Sequence, residues 1–171
     1  MKKIYLLLSV LFVGLSYAQD KSQPLVILDS KKIGFMNEAQ PILEPINPND
    51  ISTISVYKGE TSQKYGSESG VVIITTKKYI LDTFYKNNIE NSSLKKEIPT
   101  TEMLAKIGVI SSKADGKNLP YDELIKYIDT NTVNDTILKI ASIAFIKPAD
   151  AQKTNPEWKF GALKITPLEA K

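Results

Sequence analysis

Between positions 51 and 57 the chain reads ISTISVY. In an extended strand Ile54 and Val56 then point to one side, and Thr53, Ser55 and Tyr57 to the other. β-Branched and aromatic residues fill the run, as a half-buried pleated surface favours. A second run, 71–76 (VVIITT), is nearly all β-branched and reads as the more buried strand of the pair. The connection between them is rich in Glu, Ser, Lys and Gln and punctuated by Gly59, Gly66 and Gly70. It is too long for a two-residue hairpin, so it must bulge or carry a turn of its own. Upstream, 24–29 (PLVILD) reads as a further strand. Pro41, Pro45 and Pro48 limit any helix in 32–48 to about one turn. Downstream, Ile80, Leu81, Phe84 and Tyr85 recur at helical spacing over 79–89, and residues 87–100 read as a linker.

The pattern then returns. Aligning Ile51 with Ile140 sets Ile54 on Ile143, Lys58 on Lys147, Gln63 on Gln152 and Glu68 on Glu157. A two-residue insertion next brings Gly70 onto Gly161, Ile74 onto Ile165 and Thr75 onto Thr166. Val109-Ile110-Ser111 takes the place of Ile27-Leu28-Asp29, and 120–128 forms a helix with Pro120 at its start. The expected fold class is α+β: two tandem β-α-β-β units, each a small mixed sheet with helices packed on one face. Their expected bounds are 19–86 and 101–171. Lys164 falls on the face of 71/73/75, whereas 72/74 and 163/165 are all large and apolar, so the latter face is expected inward.

The first 18 residues change the picture of where the protein works. Lys2 and Lys3 precede an apolar run from Ile4, and Ser16-Tyr17-Ala18 is a small-x-small cleavage site, the pattern of a secretory signal peptide. An apolar run of about 12 residues falls short of the roughly 20 that span a bilayer, so the mature chain is expected to carry no transmembrane segment. An exported protein is expected, periplasmic, associated with the outer membrane, or released. Two of the 22 lysines lie in that leader, so the remainder is nearly neutral. It contains no arginine, the residue best suited to bidentate phosphate contacts, and nucleic acid is not an expected partner. Cysteine and histidine are both absent. That excludes disulfides, His- or Cys-based metal sites, cysteine nucleophiles and a Ser-His-Asp triad. No cofactor is expected.

The stretch 24–78 carries a family resemblance. Asn47-Pro48-Asn49-Asp50-Ile51, then Tyr65-Gly66-Ser67, Gly70-Val71 and Thr75-Thr76-Lys77-Lys78 resemble the plug domain of TonB-dependent outer-membrane receptors, especially the polysaccharide-importing kind. Pro24 to Asp29 is similar to that domain's first strand, with Ser30 where a glycine is usual. In the family the plug sits inside a large transmembrane barrel and gates import. Such a barrel needs many alternating strands of about 9–11 residues, which this sequence does not contain. The resemblance therefore implies a free-standing plug-like protein rather than a transporter, with another envelope protein or a receptor component as partner.

Several residues are candidates for chemistry. Ser92-Ser93-Leu94-Lys95 fits a Ser-x-x-Lys motif without its companion elements. Asp129-Thr130-Asn131 opens like a calcium loop but continues with Val133, Asn134 and Ile140 where ligands and glycine are needed. Asp122 and Glu123 could be offered as paired acids of a hydrolase, yet adjacent helical residues diverge, and an acidic first turn suits the helix dipole. Trp158 is either a sugar-stacking platform or the aromatic packing of its own loop. In the 58–70 loop, Glu60, Lys64, Tyr65 and Glu68 are candidates for contact with a partner or ligand. The expected function is a non-catalytic interaction module of the envelope. The alternative is a soluble binder of a saccharide or similar nutrient, and a hydrolase of unknown type stands third.

Overall fold

A computed structural model describes residues 23–110, 119–133 and 136–168. The expected leader lies outside these residues. The first sheet is built from β1 (Leu25–Leu28), β2 (Lys31–Phe35), β3 (Ile51–Tyr57) and β4 (Val71–Thr76), in the order β2-β1-β4-β3. The second uses β5 (Gly108–Ile110), β6 (Ile140–Ile146) and β7 (Ala162–Pro167), in the order β5-β7-β6. Among the described residues six α-helices pack around them: α1 (Met36–Leu43), α2 (Glu60–Gln63), α3 (Lys77–Asn88), α4 (Thr101–Leu104), α5 (Pro120–Leu124) and α6 (Pro148–Thr154). The fold is α+β, with two small mixed sheets in tandem. Among the described residues no helix is long and apolar enough to cross a membrane.

The register shows how closely the units repeat. β1 runs parallel to β4 and β3 antiparallel to it, and β5, β6 and β7 reproduce that arrangement. Ile54 faces Ile74 as Ile143 faces Ile165, and Val56 faces Val72 as Phe145 faces Leu163. The bulge between Ile51 and Thr53 recurs between Ile140 and Ser142. Gly70 and Gly161 enter β4 and β7 with φ of 112° and 98°. A Cβ would lie 3.2 Å from the Tyr57 carbonyl oxygen in one and 2.7 Å from the equivalent Ile146 carbonyl oxygen in the other. Only glycine combines that backbone with that approach. One alignment is corrected: Val26 pairs with Val72 as Val109 pairs with Leu163, so the counterpart of Val109 is Val26, not Ile27. A one-residue slip exchanges the two faces of a strand, which is why it matters.

The segment 32–48 departs from the expected single helical turn. Asp29 and Ser30, with φ of 50° and 63°, make a tight turn that folds β2 back onto β1. Two full turns of α1 follow, with Pro41 inside. Glu38 Oε2 accepts from the Phe35 backbone N–H at 2.9 Å, satisfying one free donor at the helix start. The proline deletes one hydrogen bond near the helix end, which the packing of Ala39, Met36 and Leu43 on Val26, Val72 and Ile74 offsets.

The faces of β4 also differ from expectation. Val72 and Ile74 lie under α1, and Leu163 and Ile165 lie in the largest core. Yet Val71, Ile73 and Thr75 are buried as well, and Tyr57 and Tyr65 pack against the cluster that holds Val71 and Ile73. The large core joins Ile80, Leu81, Phe84 and Tyr85 of α3 to Leu104, Val109, Leu124, Tyr127, Leu163 and Ile165. Ile89 and Ile98, from the span expected to be a linker, are fully buried within it. Burying one such side chain contributes about 1.5–3 kcal/mol, so this span supplies core residues.

Candidate functional site

Three segments hold the units together and shape a groove. At the turn after β1, Asp29 accepts from the backbone N–H and hydroxyl of Thr76, at 2.7 and 2.9 Å. Thr76 Oγ1 accepts in turn from the Tyr79 N–H, capping α3. Ser30 Oγ donates to the Asp129 carbonyl at 3.0 Å, Asn131 Nδ2 donates to the Ser30 carbonyl at 2.9 Å, and the Tyr65 hydroxyl donates to the Asn131 carbonyl at 2.5 Å. Beside this seam lies a groove of about 420 Å³. Thr53 and Ser55 of β3 form one wall, Ile125, Lys126 and Ile128 another, and Thr132, Thr136, Ile137 and Leu138 complete it.

The groove borders an unusual edge. β3 and β6 are the equivalent outer strands of their sheets, and neither ISTISVY nor IASIAFI contains a charge, a proline or a glycine. Among the described residues, apart from the Ile51 N–H, which donates to the Pro48 carbonyl, no backbone hydrogen bond ties either strand to anything beyond its own sheet ladder. Ile54 and Val56 remain 38% and 49% exposed. The opposite edge, β2, carries Lys31 and Lys32 and a bulge against β1, the usual guards of a free edge. The bulges of β3 and β6 sit near their first residues, which leaves the remaining five of each as open ladder.

The residues singled out in the sequence do not converge. Glu60, Lys64 and Glu68 are exposed around α2. Tyr65 is half-buried, stacked on Tyr57 with centroids 6.2 Å apart, and its carbonyl accepts from Lys32 Nζ at 2.7 Å. Trp158 is 7% exposed and packs with Ala151 and Ala162 on the second sheet, so its ring presents no open face for a sugar. Asp122 is exposed, whereas Glu123 is 1% exposed and accepts from Lys126 Nζ at 2.8 Å, so the adjacent acids do point apart. Burial and, secondarily, the Glu123 charge push the Tyr127 phenol above its usual range. Ser92 caps the 3₁₀ turn Ser93–Lys96 by accepting from the Leu94 N–H, and Asp129 accepts from the Asn131 N–H within its own turn. Among the described residues no group of three or more acids is placed to hold a metal ion.

Sequence reasoning located β3 but passed over its edge. The signal was there in both copies, as runs without a single charge between Asp50 and Lys58 and between Lys139 and Lys147. The missing information was the strand order that leaves both runs outermost. Comparison with protein-family models, with curated proteins and with solved structures finds no match to the chain.

Proposed function

We propose that the protein is an exported, non-catalytic interaction module of the cell envelope that engages other proteins by strand addition. The observation carrying this reading is the pair of uncharged outer strands, β3 and β6, beside a guarded β2 edge. In strand addition the main-chain ladder supplies affinity and alternate side chains supply specificity. The plug-like motifs of 24–78 and the leader pattern of 1–18 support a partner in the envelope, such as an outer-membrane receptor component. In-cell photo-crosslinking from Val56 and from Ala144 tests it, because both are exposed on these strands. The expected result is one or more envelope proteins captured from these positions, with capture from Val56 lost when Ile54→Lys, and capture from Ala144 lost when Ser142→Lys, adds a charge to the edge. Capture that both charged variants leave unchanged overturns the reading.

A second reading, a soluble binder of a saccharide or similar nutrient, is favoured by the groove, whose walls carry the hydroxyls of Thr53, Ser55, Thr132 and Thr136. Titration calorimetry with oligosaccharides separates the two. Saturable heat that disappears in Thr53→Val would replace strand addition with this alternative.

A further inference from the structure

We propose that β3 takes a second copy of this chain: two β3 strands pair antiparallel about a two-fold axis at Ile54, merging two four-stranded sheets into one. The proposal rests on reading β3 as a free edge and goes further by naming its occupant.

The charges at the strand ends select this pairing. β3 follows Asp50 and precedes Lys58, both exposed. An axis at Ile54 sets Ile54 against its own copy and Thr53 beside Ser55 of the second copy, with the bulged 51–52 segment beyond these regular pairs. Asp50 of each chain then lies at the end where the other has Lys58. Opposite charges across a ladder stabilise and like charges destabilise. β6 is flanked by Lys139 and Lys147, so pairing β6 with itself opposes lysine to lysine at both ends. Pairing β3 with β6 gives one attractive and one repulsive end, and being heterologous it would propagate into open chains. Of the three combinations, only β3 with β3 closes on itself with matched charge at both ends. Ile54 against Ile54 and Thr53 against Ser55 are pairs of the types that favour cross-strand contact.

Sedimentation of the protein, purified as cells process it, tests the proposal. A dimer is expected. Asp50→Lys alone and Lys58→Asp alone each oppose like charges at both ends and should weaken the dimer by about tenfold or more. Mixing the two single variants restores attraction at both ends, so heterodimers form; the double swap, D50K with K58D, also dimerises. Ala144→Lys, on β6, leaves the dimer intact. A protein monomeric at high concentration overturns the proposal, as does a dimer indifferent to these swaps or one broken by Ala144→Lys. A monomer would leave envelope capture through β6 standing, so the two readings fail separately.

Discussion

Gly108 lies flat beneath the indole of Trp158, where a Cβ would come within 2.2 Å of the ring carbons Cδ2 and Cε2. The indole is held by Ala151 and Ala162 and has little room to retreat. Glycine within a strand often marks such a close approach. Gly108→Ala must therefore displace the ring or the start of β5, at a cost of about 1–3 kcal/mol. Trp158 is the single tryptophan, so its emission reports both the displacement and the urea midpoint. An unchanged midpoint and unchanged emission would show that the ring moves freely.

The two units differ most at one pair of equivalent positions. Ile73 is buried, whereas Lys164, its counterpart in β7, is exposed. Tyr57 and Tyr65 pack against the first sheet there, and both faces of β4 are interior. Ile73→Lys should thus destabilise as severely as Ile165→Lys, each by several kcal/mol, because both bury an unpaired charge. Lys164→Ile should stay within about 0.5 kcal/mol of the parent. Thermal unfolding followed by circular dichroism measures all three, and an Ile73→Lys protein melting with the parent would mean that the face is open.

The repeat was legible because its pairing rules are local. Positions 51–57 carry the alternation, and Gly70 ahead of 71–76 the turn, that set the register of β3 on β4, and those same features recur at 140–146 and Gly161. The one-residue error at Val109 arose where β5 has only three residues, too few for alternation to choose between Val26 and Ile27. β2 was hidden because its turn uses Asp29 and Ser30 at positive φ, where glycine or asparagine is the usual signal. The packing of Tyr57 and Tyr65 against β4 depends on how the 58–70 loop folds back, which no spacing encodes. The edges of β3 and β6 depend on strand order, a long-range property.

Residues 87–100 illustrate the same point in energetic terms. Polar residues dominate the span and disguise Ile89 and Ile98, which enter the core formed by α3, α4 and β7. The Tyr85 hydroxyl donates to the Pro99 carbonyl at 2.6 Å and holds the segment in place. Ile98→Ala should cost about 2–5 kcal/mol, as expected for a core deletion. Its exposed neighbour offers the control: Glu97→Ala should change stability by less than about 0.5 kcal/mol. Chemical denaturation of the pair decides, and equal midpoints would make the span a linker after all.

Alkaline stability should register Tyr127. Its ring meets Phe84 edge-on, with centroids 6.4 Å apart, inside the same core. Burial first, and then the nearby Glu123 charge, raise its pKa above the ordinary value of 10.0. The folded protein therefore retains this proton at pH values where the unfolded chain releases it. Stability from the neutral phenol is complete below pH 10 and declines as pH rises through that value towards the folded pKa. Tyr127→Phe keeps the ring and removes the titration. The difference in unfolding free energy between parent and variant should stay constant at lower pH, then move in favour of the variant above pH 10. Urea titrations across that range measure it, and parallel pH profiles for the two proteins would show that the phenol ionises as freely in the core as in water.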